Sequence, residues 1–463
     1  SLQRGGLGYL CAKQSFCDAA IGLISGFTLV KNKDLLSRSL KSVWHPCTQM
    51  KAHETLPLLP IASGEGVWLK DFEGKCYLDG VSSWWVNLFG HNEPRIKAAI
   101  AEQLNTLEHV MLAGFTHEPV VQLSEKLGQL TGLGHCFYAS DGASATEIAL
   151  KMSFHYWRNS GLSNKTKFLS LQNSYHGETI GALSVTDVAI FKDTYAPLLQ
   201  QSMQMPSPDA RLAEAGESAE TYALRCAEFV EKYLAHHHAD IAAFIIEPLI
   251  QCAGGMGMYS PVYLKRVREI CTKYQVHLIA DEIAVGFGRA GTMFACEQAE
   301  IKPDFICLSK GITGGYLPLS VTLTTDEVYQ AFYDDSVVRG FLHSHSYTGN
   351  ALACSAALAT LAIFEQDQTL IKNQNTQAYI NGKLASWGDM PIKHLRHQGM
   401  IWAFDVTTTS SKFQHNFYQQ ALSQGLLLRP IGNTVYFMPP YIISESEVDF
   451  MLSTTQSLVM ACA

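Results

Sequence analysis

The sequence lacks several features that mark nucleic-acid binders and small metal-bound domains. Of its 463 residues only 16% are charged, and the formal net charge is -8, so neither nucleic acid nor an anionic membrane is an expected partner. Its twelve cysteines are scattered with no C-x-x-C pair, which argues against a zinc ribbon or a redox motif. Such cysteines are typical of reduced, mostly buried thiols, and we expect a cytoplasmic protein.

Near the N-terminus, a long apolar run is missing as well. The stretch AAIGLISGFTLV (19–30) is shorter than the roughly 20 apolar residues that span a bilayer. Arg4 and Lys13 precede it, as in a targeting peptide, but no A-x-A cleavage pattern follows. We predict a disordered extension over residues 1–40, with a signal or transit peptide as the alternative.

From Val43 onward, short apolar runs alternate with helical stretches. Continuous apolar runs separated by helices are typical of a mostly parallel sheet that is covered on both faces. The runs predicted as strands are 136–140, 167–171, 242–248, 276–281, 305–310 and 320–325. After about residue 365 the pattern changes to shorter helices and strands, which indicates a further domain.

Two of the predicted strands end in residues that could bind pyridoxal phosphate (PLP). In an open parallel sheet, ligands lie outside the carboxyl ends of the strands, and there the chain places Asp281 and Lys310. PLP requires a lysine that bonds to its aldehyde and an acid that keeps its pyridine nitrogen protonated. An ion pair between two strand ends is the alternative, and the spacing alone leaves both open.

The segment that follows Asp281 also matches the dinucleotide-binding pattern G-x-G-x-x-G at residues 286–291. A nicotinamide-binding loop needs its first glycine directly at the strand end, with helix amides facing a pyrophosphate. Here DEIAV intervenes and puts Asp281 and Glu282 where a diphosphate would approach. The sequence therefore favours PLP over a dinucleotide.

Other strand ends supply candidates for the rest of a cofactor site. The stretch 140–153 runs from small residues into a helix, so the amides of Gly142 and Ala143 could bind a phosphate; an ordinary strand-to-helix turn is the alternative. Tyr175 follows another strand, where its ring could stack on a pyridine, or it is an exposed loop tyrosine. His343 and His345 lack a third ligand at a sensible spacing, so we expect no metal.

Together these segments resemble the class III PLP-dependent aminotransferases of fold type I, from about Val43 to the C-terminus. The motifs that carry the resemblance are WHPCTQM (44–50), DGVSSWWVNLFGH (79–91), YHGET (175–179), IIEPLIQCAGGM (245–256), LIADEIAVGFGRAG (278–291), LSKGITGG (308–315), HSHSYTGN (343–350) and LLRPIGNTVYFMPPY (427–441). The resemblance implies an α/β fold in which a mostly parallel central sheet has helices on both faces, with a smaller α+β domain. We accordingly expect residues 41–81 to begin the small domain, 82–365 to form the large PLP-binding domain and 366–463 to complete the small domain.

The resemblance also implies roles for the cofactor-site residues. Lys310 would bond to PLP and move the proton between the substrate Cα and C4′ of the cofactor, and Asp281 would pair with the pyridine nitrogen. Tyr175 would stack on the ring, while Gly142 and Ala143 would supply phosphate-binding amides.

Further implied roles concern the substrate and the partner subunit. Ser346 matches a position that contacts the phosphate of the neighbouring subunit's cofactor, so a homodimer with a shared active site is expected. Trp84 and Trp85 would wall the substrate pocket, Arg429 would anchor a carboxylate, and Tyr436 would help to line the cleft.

Within the family, the tryptophan pair and the WHP segment resemble enzymes that transfer the amino group of S-adenosylmethionine to 8-amino-7-oxononanoate in biotin biosynthesis. Arg289 resembles an arginine associated with the adenosylmethionine-dependent enzymes, and we expect it at the substrate site. Cys47 departs from the pattern, because some relatives have a tyrosine there, and a thiol is a weaker hydrogen-bond donor. The alternatives are lysine as the amino donor, another ω-aminotransferase acting on a diamine or ω-amino acid, or a degenerate protein that only binds a partner.

Overall fold

The computed structural model describes residues 31–56 and 58–463. Most of the predicted N-terminal extension lies outside the described residues. Its last part does not match the prediction, because Asn32–Ser42 forms a helix with Asp34 in its first turn and Lys41 in its last. Charges of these signs at these ends interact favourably with the helix dipole.

The chain divides into two compact units, one made of residues up to Ser63 with Lys70–Cys76, and the other of Gly64–Leu69 with Tyr77–Ala463. The helices are Asn32–Ser42, Pro94–Leu104, Glu118–Thr131, Gly142–Asn159, Ile180–Ser184, Ala189–Lys192, Ala219–His237, Pro261–Lys273, Asp326–Gln330, Ala351–Gln366, Thr369–Leu384, Phe413–Ser423 and Glu445–Cys462. The strands are β1 (Ile61–Glu65), β2 (Trp68–Asp71), β3 (Cys76–Asp79), β4 (His135–Ala139), β5 (Lys167–Leu171), β6 (Met203–Met205), β7 (Ile241–Ile246), β8 (Ile250–Gln251), β9 (Gly257–Met258), β10 (His277–Asp281), β11 (Phe305–Leu308), β12 (Ser320–Thr324), β13 (Ile392–Gln398), β14 (Ile401–Val406), β15 (Leu426–Leu427) and β16 (Thr434–Phe437).

A seven-stranded sheet forms the centre of the second unit, in the order β4-β12-β11-β10-β7-β5-β6. The pairs that join β11, β10, β7, β5 and β6 are all parallel, and only β12 runs antiparallel to its two neighbours. The prediction of a mostly parallel α/β sheet is therefore confirmed. All six predicted runs are strands, while the short edge strand β6 was not predicted.

Helices cover both faces of this sheet, which explains why its inner strands are apolar throughout. Alternate residues of β7 and β10, such as Ile245 and Ile279, pack with the buried side of helix Gly142–Asn159. The intervening residues, such as Phe244 and Leu278, belong to the core that includes helices Ala219–His237 and Pro261–Lys273.

After residue 366 the chain forms a separate antiparallel sheet in the order β13-β14-β16. Also in the second unit, β15 pairs in parallel with the last two residues of β3, so that Asp79 lies opposite Leu427. Within the part of the chain that the structure describes, no helix is both long and apolar enough to cross a membrane.

Candidate active site

A cavity of about 340 Å³ lies at the carboxyl ends of β10 and β11. It brings together six residues that the sequence singled out from distant segments, which are Trp85, Gly142, Ala143, Tyr175, Asp281 and Lys310. The remaining predicted residues, Trp84, Arg289, Ser346, Arg429 and Tyr436, do not line this cavity directly.

Asp281 is the last residue of β10, and its carboxylate is nearly fully buried. Its Oδ2 lies 2.7 Å from Nδ1 of His176, and its Oδ1 accepts the backbone N–H of Ile283 at 3.1 Å. The side chain of His176 is completely buried, and its Nε2 is a buried polar atom with no protein hydrogen-bond partner. The carboxylate therefore has a fixed orientation, and its partner is a histidine.

Sequence reasoning missed the pairing of His176 with Asp281. The two residues are 105 positions apart, so no local pattern joins them. The available signal was the position of His176 directly after Tyr175 at a strand end, on the same edge of the sheet as Asp281.

Lys310 follows β11 and adopts a left-handed backbone conformation with φ of 45°. Its Nζ lies 4.9 Å from the centre of the Trp85 ring, a cation–π distance. Burial lowers the pKa of Lys310 below its usual value, because the surrounding protein disfavours the charged form. The two predicted residues thus face one cavity, and the ion-pair alternative is not what the structure shows, since Asp281 pairs with His176.

The N-terminus of helix Gly142–Asn159 forms one wall of the cavity. Asp141 caps this helix, because its carboxylate accepts the N–H and the hydroxyl of Ser144, both at 2.9 Å. The carboxylate of Asp141 therefore faces the helix, so it would not repel an anion bound by the amides of the first turn. The amides of Gly142 and Ala143 are in the first turn, where backbone N–H groups have no helical acceptor.

Tyr175 is held at the cavity by two glutamates. Its hydroxyl donates to Glu178 at 2.8 Å, and its backbone N–H donates to the buried Glu247 at 3.0 Å. Burial raises the pKa of Glu247 to about 7. Neither glutamate was predicted from the sequence, although the IIEP and YHGET motifs contain them.

The two tryptophans point to different places. Trp85 is buried at the cavity wall and donates from Nε1 to the hydroxyl of Tyr436 at 3.1 Å, which places Tyr436 one residue behind the wall. Trp84 is 44% exposed, and the guanidinium of Arg429 lies 5.1 Å from its ring centre. Lys310, Trp85 and Tyr436 therefore form one chain of contacts, and Trp84 and Arg429 form a second.

Arg289 is not placed at the cavity wall. Its fully buried guanidinium donates to the carbonyls of Pro439 and Asn87 and to the hydroxyl of Ser82, at 2.6, 3.0 and 2.9 Å. The guanidinium therefore links the chain segments that contain Ser82, Asn87 and Pro439. The structure therefore shows Arg289 in an internal position, and its expected contact with substrate stays a prediction.

Ser346, His343 and His345 do not line the cavity. Ser346 is exposed, and its carbonyl accepts from Nε2 of His109 at 2.8 Å. Cys47 is also exposed. Nε2 of His343 lies 3.1 Å from that of His345, and among the described residues no group of three or more His, Cys, Asp or Glu side chains is arranged as a metal site.

The residues present fit PLP. The cavity offers a buried carboxylate that is fixed for a ring nitrogen, a lysine with a lowered pKa for an aldehyde, and helix amides for a phosphate. A Cβ at Gly177 would lie 2.5 Å from that of Ala143, so the loop after β5 packs tightly against the amide wall.

Comparisons with known proteins agree with this geometry. The family model for class-III aminotransferases matches residues 49–459. The adenosylmethionine-8-amino-7-oxononanoate aminotransferase of Helicobacter pylori is 47% identical over 426 residues, which cover 90% of this chain and 95% of that protein. The protein of the same name from Aquifex aeolicus is 40% identical and covers 89% of this chain and 94% of its own.

Solved structures give the same result. The crystal structure of the adenosylmethionine-8-amino-7-oxononanoate aminotransferase of Methanocaldococcus jannaschii matches with a TM-score of 0.88 at 34% identity, over 93% of this chain and 100% of that chain. A thermostable ω-transaminase variant from Pseudomonas jessenii also has a TM-score of 0.88, at 28% identity, over 93% of this chain and 98% of its own.

Proposed function

The chain belongs to the class-III aminotransferases, which are PLP-dependent enzymes, and on that premise we propose that it transfers the amino group of S-adenosylmethionine to 8-amino-7-oxononanoate. The product would be 7,8-diaminononanoate, an intermediate of biotin biosynthesis. The observation that carries the proposal is the likeness, over about nine-tenths of the chain, to relatives that are named for these two substrates.

The residues at the cavity have the chemistry for each step of an amino transfer. PLP, when bound, supplies an electron sink for the carbanion that forms when the substrate Cα loses its proton. Lys310 would hold the cofactor through a covalent bond, and its amine would carry the proton at the substrate Cα. Asp281 would hold the protonated pyridine nitrogen, and His176 holds that carboxylate in position.

Two aromatic rings and a cation suit the proposed substrates. The acceptor is a long aliphatic chain that ends in a carboxylate, so it needs an apolar wall and a distant positive charge, which Trp85 and Arg429 provide. The donor carries a sulfonium that an aromatic face attracts. Both substrates use one site in turn, because the amino group stays on the cofactor between the two half-reactions.

A homodimer is part of this proposal. Ser346 lies in a segment with large exposed apolar side chains, among which Val337, Val338, Leu342 and Tyr347 are 65–83% exposed. Apolar side chains that cluster on a surface are typical of an interface. With Ser346 among them, this surface would bring its hydroxyl to the phosphate of the partner's cofactor. The ten cysteines of the described residues form no disulfide, which suits a reducing compartment such as the cytoplasm.

Separate half-reactions test the proposed substrates. The cofactor-loaded protein is mixed with one amino donor at a time, and the loss of the visible cofactor band is followed. We expect S-adenosylmethionine to convert the cofactor and 8-amino-7-oxononanoate to restore the band.

Lysine and 4-aminobutyrate complete the donor panel. Lysine is included because Cys47 replaces a tyrosine of some relatives, and 4-aminobutyrate because ω-transaminases share the fold. If only lysine converts the cofactor, lysine is the amino donor in place of S-adenosylmethionine. If only 4-aminobutyrate converts it, the proposed reaction is wrong and the protein is another ω-aminotransferase.

A further inference from the structure

Four consecutive residues of the DGVSSWW motif have a left-handed backbone. The φ angles of Ser82, Ser83, Trp84 and Trp85 are 50°, 48°, 71° and 74°. For residues other than glycine this conformation is costly, and it persists only where the surroundings enforce it. The Ser82–Trp85 turn must therefore be held by specific contacts.

Asp79 supplies the contacts at the centre of the turn. Its carboxylate is fully buried, and its two oxygens accept the backbone N–H and the hydroxyl of Ser83 at 2.9 and 2.6 Å. Nε2 of His91 lies 3.1 Å from the same carboxylate. Both bonds are made while Ser83 has its left-handed conformation, so Asp79 stabilises the turn in this form.

The turn places each of its two indoles beside a cationic side chain, and these two side chains would contact opposite ends of the proposed substrate. Trp85 meets the ammonium of Lys310 at 4.9 Å, and Trp84 meets the guanidinium of Arg429 at 5.1 Å. Arg429 follows β15, which pairs with the strand that ends in Asp79. One rigid segment thus contacts both the reacting amine and the cation that would bind the far carboxylate.

We propose that Asp79 is a positioning residue which, through the left-handed Ser82–Trp85 turn, sets the spacing between Lys310 and Arg429 and so selects the chain length of the carboxylate-ended substrate. The inference rests on the proposed function, because it assumes an acceptor with a carbonyl at one end and a carboxylate at the other. The donor carries its carboxylate next to its amine, so this spacing does not govern the donor half-reaction.

A matched pair of variants at Ser83 separates the role of the turn from simple stability. Ser83→Ala removes the hydroxyl and keeps the cost of the left-handed backbone, whereas Ser83→Gly removes the hydroxyl and the cost together. If the backbone conformation matters, Ser83→Gly keeps the turn and Ser83→Ala loses it. Asp79→Asn, which is isosteric but cannot accept both bonds equally, should behave like Ser83→Ala.

The experiment uses the cofactor-loaded protein with a series of amino-ketone acids that differ by single methylenes. For the wild type we expect kcat/KM to fall about tenfold or more for each methylene added to or removed from the preferred acceptor. Asp79→Asn and Ser83→Ala should lose about tenfold of this discrimination, and Ser83→Gly less than about twofold. The donor half-reaction is measured in parallel, and any loss in it is common to every acceptor and cancels in the ratio of rates between acceptors of different length.

Near-ultraviolet circular dichroism of the tryptophans gives a readout without turnover. Ser83→Ala should lose the wild-type signal and Ser83→Gly should retain it. Equal loss of chain-length discrimination in Ser83→Ala and Ser83→Gly would overturn the inference, and so would full discrimination in Asp79→Asn. If the wild type rejects 8-amino-7-oxononanoate, the proposed function fails, and the same variants are then compared on the chain-length series of whichever acceptor the wild type uses.

Discussion

Lys310 combines an unusual backbone conformation, an aromatic neighbour and a lowered pKa at one position. A neutral amine is the form that bonds to an aldehyde, so the lowered pKa increases the reactive fraction near neutral pH. We predict that Lys310→Ala lowers kcat by at least about 10³-fold, because the proposed covalent link and the proposed proton carrier would both be lost. The thermal unfolding midpoint should stay close to that of the wild type.

The control for this prediction is Lys302→Ala, which removes an exposed lysine just before β11. It should keep wild-type turnover. Borohydride should fix the cofactor of the wild type to the peptide that contains Lys310 and leave the Lys310→Ala protein unlabelled. Turnover of Lys310→Ala within tenfold of the wild type would remove this lysine from the mechanism.

His176 contacts Asp281 through Nδ1, and its ring also lines the cavity. Removing the imidazole leaves a buried carboxylate without its charge-assisted hydrogen bond, so His176→Ala should slow both half-reactions about 10–100-fold. His176→Asn keeps an N–H donor near the position of Nδ1 and should be slowed less.

Asp281→Asn should still bind the cofactor but lose most of its rate, because the amide cannot hold the pyridine proton. Adding His176→Ala to Asp281→Asn should then cost little more, since the two side chains form one unit. Additive losses in single-turnover rates would show that His176 has a role apart from this carboxylate.

At the scale of elements, the site depends on how closely the loop after β5 approaches helix Gly142–Asn159. Gly177 has φ of 121°, and a Cβ there would meet Ala143 Cβ at 2.5 Å. Gly177→Ala should therefore displace the amide wall, weaken cofactor binding at least tenfold and destabilise the protein by about 2 kcal/mol or more. Cofactor titration and urea unfolding measure the two effects.

Gly161→Ala is the matched control for the backbone cost. Gly161 also has positive φ, of 80°, but nothing lies within 4 Å of the added Cβ. This variant should lose about 1 kcal/mol and keep its cofactor affinity. If both variants bind the cofactor equally well, the close approach of Gly177 does not shape the amide wall.

The elements differ in how far the sequence predicted them. The apolar run 242–248 overlaps β7, whose residues are all buried, because a strand buried on both faces needs continuous apolar residues. β6 has only three residues and lies at the sheet edge, where that requirement is absent. The Ser82–Trp85 turn contradicts local preference, since buried contacts with Asp79 and Met438 enforce it.

The same distinction holds for the site. The meeting of Asp281 and Lys310 at one cavity could be predicted, because each residue follows a buried strand and ligands lie at that edge of the sheet. The positions of His176, Glu247 and Asp79 could not be predicted, because their partners lie on other segments of the chain. Arg289 was singled out by resemblance as a substrate-site residue, but its side chain makes internal contacts and does not line the cavity.

At the scale of the whole molecule, the buried ionisable groups make stability depend on pH in two directions. Burial raises the pKa of Glu247 and of Glu282 to about 7, so these groups stabilise the fold less as the pH rises from about 4.5 to 7. Burial lowers the pKa of His277 to about 4, so this group favours the fold more as the pH rises from about 4 to 6.5. The pH dependence of the total free energy of unfolding is the sum of these opposing contributions. The difference in free energy of unfolding between a variant and the wild type isolates one contribution.

Glu282→Gln isolates the contribution of Glu282. This side chain accepts the N–H groups of Ala295 and Cys296, both at 2.8 Å, and is fully buried. In the wild type the folded state binds more protons than the unfolded state between about pH 4.5 and 7, so stability falls as the pH rises through that window. The variant lacks this term, and its free energy of unfolding relative to the wild type should rise by about 3 kcal/mol between pH 4.5 and 7.5.

Urea unfolding at closely spaced pH values measures this difference. Glu102→Gln, at an exposed position of helix Pro94–Leu104, should follow the wild type at every pH because its carboxylate is in solvent. The contributions of Glu247 and His277 are common to all three proteins and cancel in the comparison. A difference between Glu282→Gln and the wild type that stays constant with pH would mean that Glu282 is already ionised below pH 4.5 in the folded protein, stabilised by the two amides despite its burial.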